Sequence, residues 1–234
     1  AKYADRDQRM AAVKLARTGS MDRLFPQFFS DDMPFQFVAN FIDTTARDLA
    51  ESVGPLPALT CSSANSTSDR AKLFDENRAK IGYNYWQQSN LNLTMFSAAD
   101  HYFTYGFATF IVEPDFKQQL PKIRLMDPFG TYPEIDRDGN VVTLIRRYES
   151  TVGDLYAQFG DMALPLVNRD FGENVSSSKP VIVYRYIDKD RYVTWAQAAL
   201  TQGESQTAQK RTVLSWNTNV MGTVPAYVVT RPSH

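Results

Sequence analysis

Four carboxylates crowd the segment from Lys122 to Val142, and oxygen ligands at this density could hold a divalent cation. They are Asp127, Glu134, Asp136 and Asp138. A calcium loop of the helix-loop-helix type needs ligands at positions 1, 3, 5 and 12, with glycine at position 6. With Gly139 at position 6, position 12 falls on Ile145, which cannot supply the required bidentate carboxylate. The flanking residues are also typical of strands, so the pattern does not indicate a calcium loop.

The same segment carries two turn signatures that need no ion. Asp138-Gly139 or Gly139-Asn140 can adopt the positive φ angles of a tight hairpin between strand-like residues. In Asp127-Pro128-Phe129-Gly130 the proline fixes φ and the glycine accepts the left-handed conformation. We therefore expect structural turn positions at Asp127, Pro128, Gly130, Pro133, Asp138 and Gly139. A metal site here would require carboxylates from elsewhere in the chain to converge on this segment.

Other reactive side chains lack the partners that chemistry requires. His101 follows Asp100 on a predicted helix, but the sequence nominates no nucleophile for it, which favours a hydrogen-bonded structural histidine. Cys61 lies in a serine-rich stretch without a nearby basic residue to lower its pKa. Arg146 and Arg147 follow an apolar strand and should point to opposite faces. One could pair with a carboxylate within the sheet or across a subunit boundary, or both could stay solvated. We predict no catalytic residue, no metal and no cofactor.

The composition is that of a globular protein with nearly balanced charge. The chain has 234 residues, 43% apolar and 22% charged, with 25 Lys and Arg against 26 Asp and Glu. This balance gives no overall attraction to nucleic acid or anionic lipid, and the apolar runs are too short to span a membrane. A single cysteine excludes an internal disulfide. The chain begins at Ala1 without a methionine and stops just after a strand-like run, so we expect it to be part of a longer polypeptide.

Hydrophobic spacing predicts helices first and strands later. A helical face recurs at spacings of three and four in the first third of the chain, at Phe35, Val38, Ile42, Ala46 and Leu49. Helical periodicity continues from Asp69 to about Tyr105 with a break near residues 88–90, and Ser66 and Asp69 resemble a capping box. After Gly106 seven short segments are rich in β-branched and aromatic residues. We expect one short helix between them, with Thr151 and Asp154 as its capping box and Gly160 after its end.

This order predicts an α+β fold, in which N-terminal helices pack on a mainly antiparallel β-sheet. We assign residues 1–105 to a helical part and residues 106–234 to a β-rich part, and we expect them to share one core.

Several quoted segments resemble the portal, or head-to-tail connector, proteins of tailed double-stranded DNA phages. The main one is "IRLMDPFGTYPEIDRDGNVVTLIRRY", an apolar strand ending in Asp-Pro, then a Tyr-Pro-Glu step and a hairpin. "FVANFIDTTARDLAESVG", "YFTYGFATFIVEPD" and "NTNVMGTVPAYVVTRP" are similar to further segments of the family, in the same order.

The resemblance implies a structural subunit of the portal wing region, without the stem and clip. Its partners would be copies of itself in a ring, normally a dodecamer, the major capsid protein, a head-completion or adaptor protein, terminase, and double-stranded DNA in the channel. It also implies a place in the virion, at the capsid vertex, after assembly in the host cytoplasm, and no membrane partner.

Two other hypotheses stay open from the residues. One is a metal-dependent phosphodiesterase or nuclease that uses the segment from Asp127 to Asp138. The other is an adaptor domain that binds a protein partner through the aromatic residues between Tyr83 and Trp86.

Overall fold

The computed structural model describes residues 3–24, 26–27, 37–53, 61, 68–115, 120–170, 175–199 and 211–230. The helices are α1 (Ala4–Arg17), α2 (Met21–Leu24), α3 (Phe37–Val53), α4 (Asp69–Gln88), α5 (Leu91–Tyr105), α6 (Val152–Phe159), a 3-10 helix (Gly160–Ala163) and α7 (Leu164–Asp170). The strands are β1 (Phe107–Asp115), β2 (Leu120–Leu125), β3 (Thr131–Ile135), β4 (Val141–Thr151), β5 (Pro180–Ile187), β6 (Arg191–Ala198), β7 (Thr212–Thr218) and β8 (Ala226–Thr230). The predicted α+β class is confirmed.

The chain folds as two compact units, Ala1–Phe129 with Tyr227–His234, and Gly130–Ala226. The first contains α1 to α5 and a three-stranded sheet in the order β2-β1-β8. The second contains α6, the 3-10 helix, α7 and a five-stranded sheet in the order β3-β4-β5-β6-β7. Each described neighbour pair in this larger sheet is antiparallel, so it is a simple meander. In the described part of the chain, no helix is both long and apolar enough for a bilayer span.

Arg17 links three helices of the first unit. Its guanidinium donates to the carbonyl of Ala39 at 3.0 Å and pairs with Asp43, both on α3, and it pairs with Asp100 on α5 at 2.7 Å. Burial lowers the pKa of Arg17, but the hydrogen bonds to Asp43 and Asp100 outweigh it and the pKa is raised overall. Arg17 is therefore charged at neutral pH.

The helical predictions hold closely, with a correction at one cap. The predicted break near residues 88–90 is confirmed, because α4 ends at Gln88 and α5 begins at Leu91, with the left-handed Asn90 between them. The predicted capping box is wrong in register, since the N-cap of α4 is Ser68, whose hydroxyl accepts the N–H of Ala71 at 3.2 Å. Ser66 and Phe35 lie outside the described residues.

Three elements of the second unit were not predicted, namely the 3-10 helix, α7 and β3. The capping box of Thr151 and Asp154 is confirmed, and α6 ends before Gly160, but a 3-10 helix and α7 then continue the helical segment. The segment containing Pro133 is also not a turn. It is the edge strand β3, in which Pro133 lies opposite Leu144, and an edge strand tolerates the missing N–H of proline.

One face of the larger sheet packs against these helices. Apolar side chains from α6, the 3-10 helix and α7 form a buried cluster with side chains from three strands, namely Val152, Leu155, Ala163, Leu166, Val167, Val181, Val183, Ala196 and Leu214. The strand partners are adjacent in register, as Val183 and Ala196 show. This cluster is the core that holds the sheet rigid.

A buried carboxylate, that of Asp188, holds the turn between β5 and β6. The carboxylate of Asp188 accepts the backbone N–H groups of Asp190 and Arg191, each at 2.8 Å. It also accepts the Nε–H of Arg191 at 3.0 Å. Asn219, just after β7, donates to the carbonyl of Asp188 at 2.7 Å, and its own N–H donates to the carbonyl of Asp190 at 2.9 Å. These hydrogen bonds join two turns that are distant in sequence.

Desolvation by burial raises the pKa of Asp188, but the hydrogen bonds outweigh it and lower the pKa from 3.8 to about 2. The donors are the side chain of Arg191, the N–H of Asp190, the hydroxyl of Tyr186 and the N–H of Arg191. Because the pKa is lower in the folded state, ionised Asp188 stabilises the fold fully above the ordinary pKa. That contribution is lost as the pH falls toward 2.

We predict that Asp188→Asn lowers the free energy of unfolding by about 2 kcal/mol at pH 7, because hydrogen bonds to a charged acceptor are lost. The gap between wild type and variant should narrow as the pH falls from 5 to about 2.5, in urea unfolding curves. Asp190→Asn, an exposed change in the same turn, should leave that pH dependence in place. A constant gap across this range would contradict the assignment.

We also predict that Gly130→Ala is more destabilising than Gly139→Ala, although both glycines have positive φ. A Cβ on Gly130 would lie 2.1 Å from the carbonyl oxygen of Arg147, whereas a Cβ on Gly139 meets nothing within 4 Å. Gly139→Ala should therefore cost only the conformational penalty of about 1 kcal/mol, and Gly130→Ala about 3 kcal/mol. Urea unfolding measures both, and equal losses would contradict the close approach.

Candidate functional site

The first acidic turn is closed by Asp127. Its carboxylate accepts the N–H of Phe129 at 2.9 Å, and Pro128 between them is buried. Gly130 follows with φ of 76°, and its carbonyl accepts the N–H of Arg147 at 2.6 Å. The short contact leaves no room for a side chain at Gly130. This stretch is thus a tight turn that leads into β3.

The second acidic segment is the loop of the β3–β4 hairpin, and Asp136 organises it. The carboxylate of Asp136 accepts the N–H of Asp138 at 2.9 Å, the N–H of Asn140 at 2.8 Å and the Nδ2 of Asn140 at 3.2 Å. Gly139 has φ of 86° and donates its N–H to the carbonyl of Asp136 at 3.3 Å. The N–H of Asn140 is the largest cause of the lowered pKa of Asp136. Asp136 thus folds the loop, a role that sequence analysis did not give it.

Three of the four carboxylates of this segment make hydrogen bonds within the fold, and Asp138 is exposed. Glu134 accepts the hydroxyl of Thr143 across the hairpin at 2.8 Å. Asp127 and Asp136 accept backbone N–H groups of their own turns. Within the described ranges, no group of three or more His, Cys, Asp or Glu side chains is arranged to hold a metal ion. The observed geometry can terminate strands, and it offers no coordination sphere from these residues.

Arg146 and Arg147 lie on β4 and, as neighbours on a strand, point to opposite faces of the sheet. Arg146 pairs in register with Arg185, and its guanidinium lies 5.0 Å from the ring centroid of Tyr148. Arg147 pairs in register with Tyr184 and is exposed. The two arginines are therefore presented in different environments, and Arg147 is the more accessible of the two.

His101 and Cys61 do not form reactive centres with the residues that the structure describes. Burial lowers the pKa of His101, with Asp100 and Asp127 acting in the opposite direction. Its Nδ1 is buried and has no hydrogen-bond partner among the described residues, so the expected hydrogen-bonded histidine is not found at this nitrogen. Cys61 is an exposed free thiol.

The aromatic side chains from Tyr83 to Trp86 are partly exposed. Tyr83, Tyr85 and Trp86 are each half-buried at the end of α4. The indole N–H of Trp86 donates to the side-chain oxygen of Asn92 on α5. Trp86 therefore helps to hold the bend between the two helices.

Sequence analysis missed an exposed apolar surface between β7 and β8. Trp216, Val220 and Met221 are 63%, 92% and 59% exposed. Val220 and Met221 occupy a turn bounded by Asn219 and Gly222, both common turn residues, so two apolar residues inside a turn signature were the available signal.

Comparison with known families gives one clear result. The family model described as "Bacteriophage head to tail connecting protein" matches residues 59–206, which is more than half of the chain and includes segments of both compact units. A search of curated proteins gives no match. A protein of this family is a structural component of the phage and assembles with other head and tail components. The chain therefore belongs to the bacteriophage head to tail connecting protein family.

Proposed function

We propose that this protein is a subunit of a phage portal ring at the capsid vertex. In this role the ring forms the channel for DNA packaging and ejection and the attachment point for terminase and tail. The observation that carries the proposal is the family match over residues 59–206. The α+β fold and the Asp-Pro turn followed by the β3–β4 hairpin support it, because the portal resemblance rests on these segments.

The described part of the chain corresponds, in this proposal, to the wing region. Subunits would join head to tail in a closed ring, with twelve copies as the expected number, and such rings need two different surfaces on each subunit. Arg146 and Arg147 are proposed subunit contacts, since an arginine fork suits a carboxylate across an interface. Further partners would be the major capsid protein, a head-completion or adaptor protein, and terminase during packaging.

The role proposed here is structural and not enzymatic. Asp127, Glu134 and Asp136 make hydrogen bonds that shape turns and a hairpin, which accounts for their density without catalysis. The protein would be assembled in the host cytoplasm and retained in the virion. DNA would pass through the ring mainly along other regions of the subunit.

We predict that the full-length protein forms closed rings, seen as a single high mass by native mass spectrometry and as rings by electron microscopy. Arg147→Glu should raise the protein concentration needed for half assembly by a few-fold, because a rim charge contributes about 0.2–1 kcal/mol. Arg78→Glu, the same change at an exposed site on α4, is the matched control. Monomers under all assembly conditions would overturn the proposal.

We further predict that titration with Mg²⁺, Mn²⁺ or Ca²⁺ gives no binding heat at millimolar metal. The carboxylate of Asp136 already accepts two backbone N–H groups, and that of Glu134 accepts the hydroxyl of Thr143. These donors compete with a cation for the same oxygens. Isothermal calorimetry makes the measurement, with Asp136→Asn and Glu134→Gln as comparison variants. Metal binding that is lost in either variant would restore the nuclease hypothesis.

A further inference from the structure

His101 lies on α5 in the first compact unit, beside two other aromatic rings. The ring centroids of His101 and Tyr105 are 6.3 Å apart, and Tyr105 meets the ring of Phe129 edge-on at 5.3 Å. The Nζ of Lys14, on α1, lies 5.2 Å from the centroid of the Phe129 ring. His101 is therefore a titratable group next to the contact between α5 and the turn that follows β2.

One nitrogen of His101, Nδ1, is buried and has no hydrogen-bond partner among the described residues. A neutral imidazole carries an N–H at only one nitrogen, so Nδ1 can remain bare with the proton on Nε2. An imidazolium carries an N–H at both nitrogens, which places a donor at Nδ1 where the described residues offer no acceptor. A buried donor without an acceptor costs free energy, so this environment favours neutral His101.

The charges that act on His101 come from its own helix and from the turn after β2. Asp100 and Asp127 favour the protonated ring, but burial outweighs both and lowers the pKa of His101 from 6.5. Asp100 also pairs with Arg17 of α1 at 2.7 Å, and Arg17 pairs with Asp43 of α3. The carboxylate next to His101 is therefore the one through which Arg17 joins α5 to α1 and α3.

The other elements packed against α5 hold their charged groups in other contacts. Glu113 of β1 and Arg124 of β2 pair with each other at 3.5 Å. The first six residues of β1, which follow α5 directly, have no titratable side chain. α4 adjoins α5 at Asn90, about three helical turns before His101. A proton on His101 therefore acts on the two carboxylates of Asp100 and Asp127.

We propose that His101 is a pH-sensitive switch, which loosens the junction of α1, α3 and α5 when it takes up a proton. The imidazolium and the guanidinium of Arg17 then share the carboxylate of Asp100, and the new N–H at Nδ1 lacks an acceptor. Protonation thus weakens the ion pair that joins the three helices. The switch lies within one compact unit, and it goes beyond the proposed ring function without resting on it.

The pH range follows from the direction of the shift. Because the pKa of His101 is below 6.5 in the folded state, the unfolded chain binds a proton that the folded chain excludes as the pH falls below 6.5. The equilibrium constant for unfolding therefore rises with acid, by at most about tenfold per pH unit for this one group. The chain has one other histidine, the terminal His234, which serves as an internal reference.

The test compares urea unfolding of the wild type, His101→Gln and His234→Gln between pH 7 and pH 5. We expect the unfolding constant of the wild type to rise at least threefold more than that of His101→Gln, whatever the stability of the variant at pH 7. Carboxylates that begin to titrate near pH 5 are common to all three proteins. His234→Gln is the matched control and should keep the wild-type pH dependence. Equal pH dependence in the wild type and His101→Gln, or its loss in the control, would overturn the inference.

Two measurements on the wild type do not depend on the fold of a variant. In NMR titrations the ring of His101 should titrate below pH 6.5, and titration at or above that value contradicts the switch. Hydrogen exchange, corrected for the intrinsic effect of pH, should show protection of α1 and α5 falling at least threefold from pH 7 to pH 5. The helix α6, in the second unit, is the internal control. An equal fall in α6, or no fall in α1 and α5, would show that His101 does not control this junction.

Discussion

The turns at one end of the larger sheet depend on the hydrogen bonds of the ionised Asp188 carboxylate. A carboxylate taken out of water is costly, and four hydrogen-bond donors around Asp188 more than offset that cost, as its pKa of about 2 indicates. The same carboxylate orients Arg191, which in turn lies against Tyr186 and Trp216. Through Asn219 it also sets the turn that leads to β8. The charge of Asp188 thus stabilises two turns and positions Arg191 against Tyr186 and Trp216.

The acidic residues of this chain illustrate how little a local density of carboxylates says about catalysis. Asp127, Asp136 and Asp188 each accept backbone N–H groups two to four residues later, which is the local geometry of turns. A metal site would instead need oxygens that remain available and converge. The chain belongs to a family of structural phage proteins, and in it these carboxylates shape turns.

Local signals predicted local structure well, and they failed where contacts join distant residues. The strands after Gly106 and the bend at Asn90 follow from side-chain pattern and from turn residues. The helix α7 was not predicted because a glycine such as Gly160 usually ends a helix, whereas here a 3-10 helix follows and leads into α7. The hydrogen bond from Asn219 to Asp188 spans 31 residues, and no spacing rule predicts it. The exposure of Val220 is equally invisible to a hydrophobicity pattern, which assigns apolar residues to the core.

Pro133 has a consequence for how the larger sheet behaves in a crowded solution. It places an imino acid in β3, one margin of the five-stranded meander, so that margin lacks a regular row of donors for an incoming chain. Among the described strands, β7 forms the other margin, next to the turn that carries Val220. Non-native addition of a strand, and amyloid-like growth from it, would therefore occur at the β7 margin and not at the β3 margin, where Pro133 lacks an N–H donor.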